Sequence, residues 1–393
     1  MAVKLGNGNW AVKEDKLLAY NDNSGRFFNK EFDFARSSSA TYVGKDGLIK
    51  SAASDVPRID FSDSTNGALL LEGQRTNLLA YSEQFDNADW VKLGQGIGSV
   101  PIVTPNYAIS PDGTLNASRL QCDLNGSNTT NDRSWLYQEM STITGNNTLS
   151  LYVKNNSNED ITFSLTNGSS ETVLVLSDDK WHRLSTVRSG GGQPRIGLIG
   201  GVGASNNADL LIYGAQVEQG SFATSYIPSL SGSATTRLAD VCNNSGSAQD
   251  FNSEEGVLYF EGSALANDGT NRFISLTDGS NDNRVLFGYR ASSNQVFARI
   301  EGNNSASVDL TNVVTDTKIV IKLAIYYDNL YNYKMYLNGF LVDSAIGTDS
   351  ITGLDRLDFT NASGTENFYG SVRDLQVFTT ALTDEQLAAL TTI

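Results

Sequence analysis

The sequence predicts an all-β protein with two antiparallel β-sandwich domains of the jelly-roll type. Short apolar runs alternate with clusters of Asn, Gly, Ser and Asp along most of the 393 residues, a pattern typical of strands joined by tight turns. Hydrophobic residues make up 39% and charged residues 18% of the chain, below the usual values of about 45–50% and 25%. Within residues 334–342, Asn338-Gly339 separates two apolar-alternating runs and predicts a type I′ hairpin.

Composition and spacing divide the chain into four segments. Residues 1–76 contain only short apolar pairs between turns, so we expect an irregular N-terminal segment for attachment and oligomerisation. Residues 77–230 and 251–393 carry the strand candidates of the two sandwiches, and the small, polar residues 231–250 form the expected linker. Near the C-terminus, Thr383-Asp384-Glu385-Gln386 fits a capping box and predicts one short helix.

Charge and cysteine content exclude several classes of protein. The net charge of −16 argues against a nucleic-acid partner, because phosphate binding needs clustered Lys and Arg. Cys122 and Cys242 lie far apart and form no CxxC motif, so we expect two free thiols. No apolar run approaches 18 residues and the N-terminus has no apolar core of a signal peptide, so we expect neither membrane insertion nor secretion.

Four short motifs near the N-terminus resemble a segment common in tailed-phage virion proteins. They are Arg-Ser-Ser-Ser-Ala-Thr at 36–41, Gly-Leu-Ile at 47–49, Pro-Arg-Ile-Asp at 57–60 and Leu-Leu-Glu-Gly-Gln-Arg-Thr-Asn-Leu-Leu at 70–79. In such proteins the segment usually precedes a carbohydrate-binding-module-like sandwich, which residues 77–230 would form here. The resemblance implies a virion protein, assembled in the host cytoplasm, that contacts other virion proteins through residues 1–76.

The C-terminal part resembles the concanavalin A-like, laminin-G type of sandwich. The resemblance rests on Tyr336-Leu337-Asn338-Gly339, on residues 370–378 and on the closing Leu382-Thr383-Asp384-Glu385-Gln386. Together the resemblances imply a tail fibre, spike or head fibre that presents glycan-binding modules for adhesion to the host surface, in the homotrimer common among such fibres. Two alternatives are a head-decoration protein without specific sugar binding and a polysaccharide-degrading tail spike.

The sequence offers no recognisable catalytic group, so we expect no enzyme. His182, the only histidine, lies between Trp181 and Arg183 at a predicted strand edge, and no G-x-S-x-G motif occurs. Adjacent carboxylates such as Asp178-Asp179 lie in turns. They do not supply the spaced pair that glycoside hydrolysis requires.

Aromatic residues are the candidate ligand contacts, because a flat ring suits the C–H face of a sugar. We expect Trp90, Trp135, Tyr137 or Tyr289 to form such a platform. Trp135 is favoured because polar residues 131–134 precede it. The competing interpretation is that these aromatic residues belong to the sandwich cores.

One loop has the composition of a calcium site. Residues 278–283 are rich in oxygen-bearing side chains, and Asp278, Asn281 and Asp282 are the candidate ligands. The loop lacks the spacing and terminal Glu of an EF-hand, so a plain polar turn is the competing interpretation. We expect no required cofactor; Ca²⁺ is the one ion that the sequence suggests.

Overall fold

The computed structural model describes residues 2–6, 10–20, 27–141, 143–166, 172–291, 294–303 and 307–393. These residues are nearly all in antiparallel strands and turns, with one short helix, which confirms the predicted fold class. The chain forms two compact units. Unit 1 comprises residues 1–46, 51–73 and 238–393, and unit 2 comprises residues 47–50 and 74–237.

The strands in chain order are β1 (Ala2–Gly6), β2 (Ala11–Lys13), β3 (Lys16–Tyr20), β4 (Phe27–Ala35), β5 (Ala40–Val43), β6 (Ile49–Ala52), β7 (Ile59–Asp60), β8 (Ala68–Leu71), β9 (Arg75–Asn77), β10 (Trp90–Gln95), β11 (Ile102–Ile109), β12 (Leu115–Asp123), β13 (Arg133–Gln138), β14 (Ile143–Asn155), β15 (Ile161–Thr166), β16 (Thr172–Val175), β17 (His182–Gly191), β18 (Arg195–Ile199), β19 (Asn207–Gln219), β20 (Thr235–Arg237), β21 (Val241–Asn243), β22 (Gly256–Ala264), β23 (Arg272–Thr277), β24 (Arg284–Tyr289), β25 (Gln295–Glu301), β26 (Val308–Val313), β27 (Ile321–Tyr327), β28 (Asn332–Leu337), β29 (Phe340–Ile346), β30 (Arg356–Asp358) and β31 (Gly370–Phe378). The helix is α1 (Asp384–Thr391).

Unit 1 is a sandwich of a large and a smaller sheet. The large sheet has the order β29-β28-β27-β22-β31-β8-β7, with β1 also paired to β31, and the smaller sheet has the order β26-β25-β24-β23-β30. Apolar side chains of both sheets, such as Phe260 and Phe287, meet in one buried core. Leu69 and Leu71 of β8 belong to the same core. Strands from the first 76 residues therefore help to build this unit, while their role in attachment stays a prediction.

The predicted local signals near the C-terminus are confirmed. Asn338 and Gly339 have φ of 50° and 90° between the paired residues Leu337 and Phe340, which fits a two-residue type I′ turn. The Thr383 hydroxyl accepts a hydrogen bond from the Gln386 amide at 3.3 Å, and the Gln386 side chain accepts one from the Thr383 amide at 2.9 Å. In the described residues no helix is long and apolar enough to span a membrane.

A buried ion network lies within unit 1. Asp240 accepts hydrogen bonds from Arg36 at 3.0 Å and from Arg58 at 2.6 Å, and Glu72 accepts one from Arg58 at 2.7 Å. The four side chains are at most 2% exposed. Burial alone would lower the pKa of Arg58, but Glu72 and Asp240 outweigh it and raise that pKa. Arg36, Arg58 and Glu72, which belong to the four N-terminal motifs, are thus held together inside the fold.

Unit 2 is also a sandwich of two antiparallel sheets. One has the order β10-β13-β18-β15-β16 and the other β11-β12-β19-β14-β17, while β9 pairs with β20 in a separate ribbon. Leu136 and Phe163 of the first sheet and Leu151 of the second are fully buried in the core between them. Cys122 in this core and Cys242 in unit 1 are both free thiols, as predicted, and both are buried.

Candidate functional site

The outer face of one unit 2 sheet gathers aromatic, cationic and hydroxyl side chains. Leu136 points into the core, so its neighbours along β13 point outward. The pairing places Trp135 opposite Gly197, and Gly197 opposite Ser164. We call this surface the arginine–tryptophan face; it comprises Arg133, Trp135, Tyr137, Ser164, Arg195 and Gly197.

Trp135 is the centre of this face. The guanidinium carbons of Arg133 and Arg195 lie 4.9 and 4.8 Å from its ring centroid, within range of cation–π attraction. Gly197 leaves the necessary room, since a Cβ atom there would lie 2.5 Å from the Trp135 Cα. Trp135 is only 2% exposed. Its indole therefore supports the two guanidinium groups.

Neutral groups hold both arginines in place. Arg133 donates to the Gln95 side-chain oxygen at 3.0 Å and to the Thr130 carbonyl at 3.3 Å. Arg195 donates to Gln193 at 3.1 Å, and Gln193 in turn donates to Glu139 at 2.6 Å. Within the described residues, no carboxylate oxygen lies within 4 Å of either guanidinium group. The arginines are oriented but not neutralised.

The electrostatic environment of Arg195 disfavours its positive charge. Burial lowers the pKa of Arg195, and the positive charges of Arg133 and Arg188 lower it further, while Tyr137 and Glu139 act in the opposite direction. Guanidinium groups nevertheless stay protonated in proteins. The face therefore keeps a concentrated positive charge on a chain whose net charge is −16.

Three buried polar atoms near this face have no hydrogen-bond partner among the described residues. They are the Trp135 indole nitrogen, the Ser164 hydroxyl and the Arg195 Nε. Ser164 is fully buried, and an unpaired polar atom in such a place costs free energy. Each of the three atoms can donate a hydrogen bond, so this side of the sheet contains donors that no acceptor of the described residues satisfies.

A cleft of about 680 Å³ lies at the end of β13, beside Tyr137. It is lined by Leu78, Ala80, Ala88, Asp89, Val91, Gln138, Glu139, Met140, Ser141, Ile143, Gly232, Ser233 and Ala234. Val91 is the strand partner of Tyr137, and Glu139 holds Gln193. The cleft thus lies next to the Tyr137 end of the arginine–tryptophan face and has room for sugar units.

The structure separates the four predicted platform residues. Trp135 and Tyr137 share one face, and Tyr137 is half-buried. Trp90 is fully buried, packs on Phe85 and donates its indole hydrogen to the Tyr81 carbonyl. Tyr289 is 2% exposed in the unit 1 core. Trp90, Trp135 and Tyr289 therefore offer no open ring face for a sugar, because core packing or the two guanidinium groups cover them.

Two of the three candidate calcium ligands make side-chain hydrogen bonds with neighbouring residues. The Asp278 carboxylate accepts hydrogen bonds from Ser280 and Asn283, and the Asn281 side-chain oxygen accepts one from Arg284. Asp282 lies in the same exposed loop. In the described part of the chain, no three His, Cys, Asp or Glu side chains come together as a metal site. Calcium binding at Asp278, Asn281 and Asp282 stays a prediction.

Unit 2 also contains His182 and a pair of carboxylates, Glu83 and Asp112, that share a tyrosine partner. His182 Nε2 lies 3.0 Å from Asp178 at the surface. Elsewhere, the Tyr213 hydroxyl donates to Glu83 at 3.3 Å and to Asp112 at 3.1 Å. Burial raises the pKa of Glu83, although hydrogen bonds from tyrosine hydroxyls oppose the shift. This pair ties a loop to β19 through hydrogen bonds.

The comparisons with known proteins support the predicted C-terminal architecture. Residues 263–388 match the family model of the concanavalin A-like lectin/glucanases superfamily. This match confirms the concanavalin A-like, laminin-G-like sandwich expected from the hairpin and the closing helix. Among curated proteins, no match to the chain was found.

Several solved structures are similar to part of the chain. A carbohydrate-binding module of family 40 from the Ruminococcus gnavus IT-sialidase, bound to α2,3-sialyllactose, is 17% identical, with 38% of this chain and 93% of that chain covered and a TM-score of 0.31. The receptor-binding domain of a botulinum neurotoxin C/D mosaic serotype is 16% identical, with coverages of 38% and 40% and a TM-score of 0.31. A heptameric SAP-like pentraxin from Limulus polyphemus is 13% identical, with coverages of 34% and 68% and a TM-score of 0.30.

Proposed function

We propose that this chain is a non-enzymatic structural protein of a phage particle that binds glycans on the host surface. The observation that carries the glycan-binding role is the arginine–tryptophan face, where oriented donors and the half-buried Tyr137 adjoin a cleft of about 680 Å³. Sugar hydroxyls and acidic groups are rich in acceptors, and such donors suit them. The lectin-type family match of residues 263–388 supports a binding role for unit 1 as well.

Many copies of the chain on one particle would make its adhesion to the host surface strong. A single sugar site of this kind binds weakly, but several sites on one particle raise the effective affinity by orders of magnitude. The virion-like motifs support a place on the particle, with residues 1–76 contacting other virion proteins and a homotrimer as the assembly. Head decoration without sugar binding and polysaccharide cleavage are the alternatives that the experiments must separate.

A glycan array probed with the full chain tests the binding role. We expect the chain to retain a subset of glycans, and Tyr137→Ala to weaken retention because Tyr137 adjoins the cleft. Tyr107→Ala is the matched control, since Tyr107 is an exposed tyrosine on the other sheet of unit 2. Failure to retain any glycan would contradict the proposal. Release of reducing ends from host capsule would instead identify a polysaccharide-degrading enzyme.

Labelling of intact particles tests the virion role. A gold-labelled antibody against the chain should mark purified phage particles at the tail or at head fibres. Label on the head, combined with an empty glycan array, would favour decoration without sugar binding. Particles that carry no label would contradict a virion role.

A further inference from the structure

The arginines of the arginine–tryptophan face differ from several other arginines of the chain in having no carboxylate partner within the part of the chain that the structure describes. Arginines elsewhere are commonly matched with carboxylates: Arg119 with Asp209, Arg284 with Glu301 and Arg299 with Asp309. The chain has 44 acidic against 28 basic residues, so carboxylate partners are plentiful. Arg133 and Arg195 nevertheless have no carboxylate oxygen within 4 Å in the described residues, although both guanidinium groups lie against the same indole ring.

The unpaired atoms around these arginines narrow the chemistry of the ligand. Trp135 Nε1, Ser164 Oγ and Arg195 Nε are buried and lack hydrogen-bond partners among the described residues. Indole and guanidinium nitrogens donate hydrogen bonds and accept none. A ligand that satisfies them must therefore bring acceptors, and two cations at the same indole ring favour acceptors that carry negative charge.

Two glutamine side chains and Trp135 fix the orientation of the guanidinium groups of Arg133 and Arg195. Gln95 orients Arg133, and Gln193 orients Arg195, while Trp135 stacks against both. A planar, pre-oriented guanidinium fork matches the paired oxygens of an oxyanion. Because Gln95 and Gln193 are neutral, they orient the two guanidinium groups without supplying the negative charge that an oxyanion would bring.

We propose that the arginine–tryptophan face binds the oxyanion group of an acidic saccharide, with Arg133 and Arg195 as its ligands and the adjoining cleft receiving neighbouring sugar units. This inference rests on the proposed glycan-binding function and specifies the class of glycan. A carboxylate, a sulfate ester and a phosphodiester share the required chemistry.

Calorimetric titration of the full chain tests the inference. The probes are oligomers of a hexuronic acid, the same oligomers with methyl-esterified carboxylates, a sulfated disaccharide and a poly(glycerol phosphate). We expect at least one charged probe to bind. If the carboxylate is recognised, esterification should weaken binding about tenfold or more, because charge-assisted hydrogen bonds are lost. Binding should also weaken as salt is raised.

Variants connect the binding to the two arginines. Arg133→Gln and Arg195→Gln should each weaken binding of the charged probe about tenfold, and Arg195→Lys should weaken it less because the charge remains. Arg119→Gln is the matched control: Arg119 also lies over an aromatic ring, 5.0 Å from the Tyr107 centroid, but Asp209 neutralises it. The control should bind within about twofold of the unaltered chain.

The outcomes distinguish this inference from the proposed function. Binding of neutral glycans that is insensitive to Arg133→Gln and Arg195→Gln would overturn the inference and leave glycan binding intact. Equal affinity for the free acid and its methyl ester would overturn recognition of the carboxylate. If no saccharide binds, charged or neutral, both the inference and the proposed function fail.

Discussion

Unit 1 and unit 2 use arginine in opposite ways. In unit 1, Arg36 and Arg58 are fully buried and each donates to a carboxylate oxygen of Asp240. In unit 2, Arg133 and Arg195 are half-buried, stack on Trp135 and meet neutral amide oxygens. The first pair has no access to water and needs an internal counter-charge; the second keeps partial hydration and is free to take its counter-charge from a ligand.

This difference separates structural charge from binding charge. A buried arginine without a carboxylate would carry a large desolvation cost, so Asp240 and Glu72 are required by the fold. A half-exposed arginine that is oriented without being neutralised serves the fold less well than a paired one would. An external anion that supplies the missing counter-charge explains why such an arginine is oriented in this way.

Asp240→Asn should be the most damaging substitution. It leaves the buried Arg36 and Arg58 without their shared counter-charge, and breaking such a pair costs about 3–5 kcal/mol of unfolding free energy. Denaturant titration measures the loss. Asp309→Asn in the same unit is the control, because Asp309 and Arg299 are about one-third exposed and such a pair contributes at most about 1 kcal/mol. Equal losses would refute the contrast.

Gln95→Glu should give Arg133 the carboxylate partner that it lacks among the described residues of the unaltered chain. The new carboxylate would meet Arg133, to which Gln95 now offers an amide oxygen at 3.0 Å. Folding should be unaffected, while affinity for a charged saccharide should fall about tenfold because the site is neutralised in advance. Gln219→Glu adds the same charge at an exposed position of unit 2. If both variants bind alike, Arg133 does not act as the proposed ligand.

The sequence predicted local features well and assembled features poorly. The turn at Asn338-Gly339 and the capping box at Thr383 depend on neighbouring residues, and both are confirmed. The alternation Arg133, Trp135, Tyr137 along one strand already indicates a shared face. Arg195 and Ser164 join that face only through the pairing of β13, β18 and β15, and register between distant strands is not visible in one sequence.

Burial places two of the candidate platform residues away from the surface. Trp90 and Tyr289 have the composition of sugar platforms, yet both lie in cores. Side-chain type does not reveal which face of a strand is covered. The charged residues of the N-terminal motifs show the converse: Arg36 and Arg58 have surface chemistry but are fully buried, because Asp240, some 200 positions along the chain, supplies the counter-charge.

Gly197→Ala should displace Trp135, the side chain against which Arg133 and Arg195 lie. A Cβ atom at this position would lie 2.3 Å from the Ser134 carbonyl oxygen and 2.5 Å from the Trp135 Cα, so strand or indole must shift at a cost of about 1–3 kcal/mol. Denaturant titration followed by tryptophan fluorescence measures this cost. Gly192→Ala is the control, because nothing lies within 4 Å of its added Cβ. Similar stability of both variants would show that Gly197 is not needed to seat Trp135.

Glu83→Gln addresses a third case, a half-buried carboxylate with no basic group within 4 Å among the described residues. Burial, with a smaller repulsion from Asp112, raises the pKa of Glu83 above its ordinary 4.5, although Tyr226 and Tyr213 oppose the shift by donating to the charged form. The folded chain therefore holds this proton more tightly than the unfolded chain, and its stability falls as pH rises from 4.5 through the raised pKa.

Glutamine cannot titrate, so the variant should gain stability relative to the unaltered chain as pH rises from about 4 to 7. Denaturant titrations at several pH values measure the difference. Asp112→Asn should give the opposite trend at lower pH: burial alone would raise the pKa of Asp112, but hydrogen bonds from Thr114 and Ser110 outweigh it and lower that pKa. Parallel stability curves for Glu83→Gln and the unaltered chain would show that Glu83 is solvated well enough without an arginine. In that case, burial would not be a sufficient explanation for the pairing of Arg36 and Arg58 with Asp240 in unit 1.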